Sequence, residues 1–206
     1  MSDNLAIGVA LGDLRPTQMT VGFREVEIKR RAWRDADDAE RTRLLRRHVV
    51  PAVLGPKGRT YIVDHHHFTK ALFDEKAGAV AVFIQADLTH LGKDEFWAFL
   101  DNSDWCHAYD ADGERRALSD IPKSLSDLAD DPFRSLVGEL IRAGGCAKSP
   151  VPFFEFLWAD FLRRRIKRRL VEDDFSSALA GALALAKSAD AKSLPGWSGA
   201  APEKTT

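Results

Sequence analysis

The run from Arg59 to Ala86 constrains the fold more than any other part of the chain. Arg59-Thr60-Tyr61-Ile62-Val63 is β-prone and of strand length. From His65 to about Ala77 apolar residues return at helical spacing, with Phe68, Ala71 and Leu72 on one side, and Gly78 is placed to stop the helix. Ala79 to Ala86 (AVAVFIQA) is then a largely buried strand. Strand, helix, strand in this order makes a compact α/β unit whose loops emerge at the strand ends, where ligand sites tend to form.

The flanking segments add to that unit. Val49 to Leu54 is a short apolar run closed by Gly55-Pro56-Lys57-Gly58, so it pairs with the next strand through a turn. Upstream, the sequence predicts a frayed start, an extended Leu14-Arg15-Pro16-Thr17-Gln18 and a brief alternation at Val26-Glu27-Ile28. Asp35 is expected to cap a surface helix running to about His48. The second half reads as helices: Lys93 to Leu100, then one begun by the Asp131 cap and Pro132 and stopped at Gly144-Gly145. A single stripe follows at Phe154, Trp158, Leu162, Ile166 and Leu170, and an alanine-rich helix covers about Ser176 to Ser188. The expected organisation is an α/β core over residues 10–90, a helical extension over 91–197 and a disordered tail over 198–206.

Composition excludes several classes. No apolar run approaches the roughly 18 residues needed to cross a bilayer, and residues 1–13 lack the charged and apolar regions of a secretory signal. The expected location is therefore the cytoplasm. Cys106 and Cys146 are the only cysteines and form no Cys-x-x-Cys pair, so two inert thiols are expected. A net charge of −1 supplies no global field for a polyanion, so contact with nucleic acid would need a local patch. Arg163, Arg164, Lys167 and Arg168 are candidates for gripping DNA phosphates if one helix carries them, although a solvated helix face is the simpler reading. The Phe153–Trp158 aromatic run reads as core packing. The acids at 101, 104, 110, 112 and 114 read as turn chemistry.

Chemistry concentrates at Asp64-His65-His66-His67, where the apolar strand gives way to the helix. The first turn of a helix exposes backbone N–H groups and the positive end of the macrodipole, which suits a phosphate. Histidine exchanges protons near neutral pH, and a carboxylate can orient it, accept a substrate proton or hold a divalent cation. Two other readings stand beside this one. In the plainer, Asp64 caps the helix while the histidines divide between packing and solvent; in the sharper, Asp64, His65 or His67 binds zinc with His90 or His107 as distant candidates, although no recognised zinc spacing is present.

The segment Val63-Asp64-His65-His66-His67-Phe68-Thr69-Lys70-Ala71-Leu72 resembles the Asp-Gly-His-His-Arg element of the ParB/sulfiredoxin-like fold, and within it of the ParB-like nuclease family. Leu14 to Gln18, Val21-Gly22 and Glu25-Val26 are similar to the segment preceding that element. The resemblance covers about Asp13 to Asp87 and extends more loosely into the helical remainder. It implies a small mixed sheet with helices, and nucleotide or phosphodiester chemistry.

By position, Asp64, His66 and His67 match the motif's aspartate and histidines, and Glu25 is an upstream acid. His65 stands where the motif has glycine, and Phe68 where it has arginine. The implied roles are catalysis by Asp64, His66, His67 and Glu25, and positioning of the anion by Arg15, Gln18, His65 and Lys70. Asp64 would hold a cation such as Mg²⁺, and the nucleotide would be ATP, ADP or CTP. Free-serine-type kinase activity, or a non-catalytic nucleotide- and DNA-binding partition module, are the alternatives the family implies. The thiolate chemistry of sulfiredoxins is disfavoured because the motif holds no cysteine.

Overall fold

A computed structural model describes residues 6–199. The chain divides into two compact units, one ending at Asp130 and one starting at Asp131.

The first unit is a mixed α/β body built on a five-stranded sheet. Its strands are β1 (Ile7–Ala10), β2 (Leu14–Pro16), β4 (Val50–Gly55), β5 (Arg59–Ile62) and β6 (Ala79–Asp87), in the order β1-β6-β4-β5-β2. β1 runs antiparallel to β6, β6 parallel to β4, β4 antiparallel to β5, and β5 parallel to β2. A small parallel ladder joins β3 (Thr20–Val21) to β7 (Ala129–Asp130). β1 falls where the sequence predicts a frayed start: Val9 packs partly against the core, and antiparallel pairing with β6 fixes the segment.

β1 and β2 lie at opposite edges of the sheet, yet only Leu11–Asp13 joins them. Four Cα steps reach at most about 15 Å, whereas four interstrand gaps in a flat sheet add to about 19 Å. The sheet must therefore coil so that its edges approach, in the direction its natural twist allows.

Pleating sends alternate residues to two cores. Ala52 and Ile62 join Leu14, Val50 and Val82 under α1 (Phe23–Asp35) and α3 (His66–Asp74), the latter through Phe68, Ala71 and Leu72. Val53 and Tyr61 join Phe96 and Leu100 of α4 (Lys93–Asn102), with Leu88, Cys106, Ala108 and Ile121. Because 88–121 supplies this second core, the first unit reaches well beyond residue 90, where the sequence pattern placed the boundary.

Two helical expectations change. The Val26–Ile28 alternation lies inside α1, whose only buried residue is Val26. Trp33, two turns on, packs partly against the same core, and charge pairs line the rest of the helix: Glu27 meets Arg30, Arg31 and Arg34 at 3.3, 3.2 and 2.7 Å, and Arg30 and Arg34 both reach Glu75. The next helix, α2 (Asp38–Arg47), is capped by Asp37 rather than Asp35, through the Glu40 N–H.

The second unit is helical: α5 (Pro132–Arg142), α6 (Phe154–Arg163), α7 (Arg168–Asp173) and α8 (Phe175–Ala186). Phe133, Leu136, Leu140, Trp158, Leu162, Val171 and Ala182 form its core. The single stripe from Phe154 to Leu170 is in fact two helices, because Lys167 turns extended after α6 ends, with Ile166 buried at the break. The four basic residues therefore share no one helix. Arg163 pairs with Asp131 and Asp160, Arg164 with Asp160, and Arg168 with Glu172. Of the expected tail, 200–206 lies outside the described residues. No helix among the described residues is long and apolar enough to cross a membrane.

At the end of β4, a Cβ added to Gly55 would sit 2.6 Å from Tyr61 Cε2 and 2.8 Å from Phe96. Gly55→Ala is expected to lower stability by about 1–3 kcal/mol through this overpacking. Gly8→Ala, where a Cβ meets nothing within 4 Å, should stay within about 0.5 kcal/mol. Urea denaturation of the two variants measures the contrast, and equal losses would contradict it.

Candidate functional site

The site forms where β5 ends. Its parallel neighbour β2 ends alongside, so the residues after Pro16 meet the residues after Ile62. Thr17 is buried between them, its Oγ1 donating to the Ile62 carbonyl at 2.9 Å and its N–H donating to His66 Nε2 at 3.1 Å. Five residues on, the Gly22 N–H donates to His67 Nε2 at 2.9 Å. Consecutive histidines at the start of α3 thus grip both ends of the segment that leads into α1.

Gly22 is the N-cap residue of α1, so the two helices begin side by side. They remain together along their lengths: Lys70 lies 5.8 Å from the Phe23 ring near one end, and Glu75 receives Arg30 and Arg34 near the other. The Phe23 N–H is taken by the Asp130 carboxylate at 2.7 Å.

His65 turns the corner. Its φ of 63° and ψ of 26° lie in the left-handed region, which glycine adopts freely and other residues only at a cost. The motif's glycine is thus explained by backbone conformation, and His65 keeps that conformation without being glycine. Its N–H is held by Asp64 Oδ1 at 2.6 Å, and its carbonyl accepts from the Thr69 N–H and Oγ1. Asp64 itself is exposed.

With Nε2 accepting from a backbone N–H, neither His66 nor His67 carries a proton on that nitrogen. Nε2 of either ring is therefore committed to structure, and protonating it would set a donor against a donor. His65 is different: its ring meets His48 edge-on with centroids 5.7 Å apart, and burial lowers its pKa against the opposing pull of Asp64. His48 is also lowered, by burial first and then by His65. Burial pushes the Cys106 thiol up to about 12 and Cys146 up to about 11, which makes both inert, as their number and spacing suggest.

The remaining sequence candidates scatter. Glu25 occupies the first turn of α1, one turn from the Gly22–His67 bond. Gln18 is buried and spends its amide on the Thr20 carbonyl at 2.8 Å. Lys70 pairs with Asp74 at 2.6 Å and is 10% exposed, so its charge is already answered. Arg15 lines a separate cavity with Arg59 and Lys123. Among the described residues no three of His, Cys, Asp or Glu gather closely enough to hold a metal ion; the zinc set with His90 or His107 is not assembled. The His107 ring stacks on Tyr109, while the His107 backbone N–H donates to the Thr17 carbonyl. Thr17 and Gly22 lie in the stretch that resembles the family, but their part is played by backbone N–H groups that no side-chain pattern marks, and His48 and Asp130 act from other segments.

The family model described as "Putative ParB-like nuclease" matches residues 7–164. The chain belongs to that family. Among solved structures it is similar to the crystal structure of protein Atu1540 from Agrobacterium tumefaciens, with 51% identity and a TM-score of 0.88 over 95% of this chain and 99% of that one. No curated protein matches. Residues 7–164 span both the sheet and the start of the helical unit, so the family is defined by more than the His-His element.

Two outcomes are expected from this geometry. Replacing His66 by Ala leaves the buried Thr17 N–H without an acceptor and should cost about 1–3 kcal/mol in urea denaturation. Stability should also fall with acid. Above the unfolded histidine value of 6.5, His48 and His65 are neutral in both states. As pH drops below it, the unfolded chain binds protons first, and stability falls until the lowered folded values are passed. The urea midpoint should drop between about pH 7.5 and about pH 5.5, by less in a His48→Gln, His65→Gln double variant. An undiminished drop there would remove these two rings as its cause.

Proposed function

We propose that the protein is a hydrolytic enzyme acting on a phosphodiester or nucleotide phosphate at the elbow formed by Asp64 to His67. The observation that carries this reading is the left-handed His65. Strained backbone persists where surrounding contacts over-determine it, and such places cluster at functional sites. Here the contacts are the Asp64 carboxylate, Thr69 and the two histidine bonds on either side of the following turn. Membership of a family described as nucleases points to the same chemistry.

In this reading the roles differ within the motif. Asp64, exposed at the elbow, is the group that meets the substrate, as the base for an attacking water or as the ligand of a divalent cation. Glu25, in the first turn of α1, is the second carboxylate in this reading. His66 and His67 are positioning residues, because their Nε2 atoms hold the Thr17–Gly22 segment.

The donor set fits Mg²⁺ better than zinc. Mg²⁺ is commonly held by one or two carboxylates together with substrate phosphates and water, whereas zinc takes three or four protein ligands. When bound, such a cation would neutralise charge on the phosphate.

Asp64→Asn is expected to keep the fold and lose about 10²-fold or more of the hydrolysis rate. The assay is release of product from DNA, RNA and nucleoside triphosphates with Mg²⁺ or Mn²⁺, alongside thermal melting. Full activity in Asp64→Asn would sink the assignment.

A further inference from the structure

Coiling of the sheet builds a concave site at the other end of β5 from the Asp64 elbow. The Leu11–Asp13 connection crosses between the sheet edges and brings Gly12 and Asp13 against Gly58, Arg59 and Thr60 at the start of β5. Val9, Arg15 and Lys123 complete a cavity of about 410 Å³. Bare backbone faces it at Gly12 and Gly58, where an added Cβ would meet nothing within 4 Å.

Three cations and one carboxylate line this space. Arg15 is half-buried and held by β2, while Arg59 and Lys123 are exposed. Among the described residues none of these three side chains is in an ion pair or hydrogen bond, whereas the arginines of α1 and of α5 to α7 are largely answered by acids. Like charges that outnumber their counter-charge repel one another, and a bound anion removes that repulsion. Asp13 leaves a net of two positive charges, from three cations less one carboxylate.

We infer that this cavity binds a small polyphosphate, either pyrophosphate or a nucleoside di- or triphosphate, with Arg15, Arg59 and Lys123 on its phosphates. The volume lies in the range of small-molecule sites, about 300–1,000 Å³, and exceeds what one phosphate needs. Arginine forks suit adjacent phosphate oxygens, and lysine adds a point charge. Asp13 is placed to accept a hydroxyl hydrogen of the ligand. The site stands apart from the Asp64 elbow: Arg59 begins β5, Asp64 lies in the bend beyond its end, and no residue of the elbow lines the cavity. The inference therefore does not rest on the reading of Asp64.

The test is calorimetric titration of the full chain with pyrophosphate, ATP, CTP and a short DNA duplex, at about 50 and about 200 mM salt. Pyrophosphate or a nucleotide should bind, more weakly at the higher salt. Arg59→Ala with Lys123→Ala should weaken that binding about tenfold or more, pyrophosphate included. If the double variant melts early, Lys123→Ala alone carries the comparison. Binding indifferent to these substitutions, binding of DNA alone, or no binding by any of the probes would overturn the assignment. Loss of hydrolysis in Asp64→Asn with polyphosphate binding retained would keep the two sites distinct.

Discussion

Two hydrogen bonds from backbone N–H groups to adjacent imidazoles hold the functional end of this protein together. Thr17 and Gly22 are separated from His66 and His67 by more than forty residues, and between them runs the turn that carries the chain from β2 into α1. A backbone N–H buried without an acceptor is costly. The segment can therefore pack against α3 only if α3 offers acceptors at these two points. Histidine serves because its neutral ring presents an aromatic nitrogen acceptor on a body that tolerates burial, and His66 is buried while His67 is partly so. Once both bonds form, the start of α1 is fixed beside the start of α3, and the charge network from Glu27 to Glu75 extends that pairing along their lengths.

This bond pair also decides which parts of the site are free for chemistry. Adjacent residues in the first turn of a helix point in different directions, and here both directions are used for structure. The exposed member of the motif is Asp64, whose carboxylate also braces the left-handed residue next to it. One group thus couples the backbone strain of the elbow to the solvent-facing charge. Titration of the neighbouring rings bears on both, since His65 lies between Asp64 and His48 and its neutral state is favoured by burial.

The strand–helix–strand unit was legible because each piece carries its own period: β4, β5 and β6 fall within a residue of their expected places, and α3 starts one residue late and ends about three early. So was the Asp131–Pro132 start of α5, a local cap. α1 was not, because it buries only Val26 and is stabilised by ion pairs that leave no hydrophobic period. The break between α6 and α7 was hidden for the opposite reason: Ile166 keeps the apolar rhythm while the backbone leaves the helix. At the site, the motif's side chains were readable, but their partners were not. Backbone donors look alike in any sequence, and Asp130 caps α1 from 107 residues away. Arg15, which the family resemblance groups with the motif, lies on β2 opposite Tyr61 and lines a different cavity.

That last displacement follows from sheet geometry. A parallel pair such as β2 and β5 has both starts at one end and both finishes at the other. Whatever follows Pro16 and Ile62 is gathered at the finish, which is how Thr17 meets His66. Whatever precedes them is gathered at the start, where the short Leu11–Asp13 link adds the far edge of the coiled sheet. A single parallel pairing therefore sends neighbouring stretches of sequence to two places, an elbow that carries a carboxylate and histidines at one end and a cavity lined by arginines and lysine at the other. Residues three or four apart along β2 and its loop can serve different sites, so proximity in the chain is a poor guide to shared function wherever a strand separates its two ends.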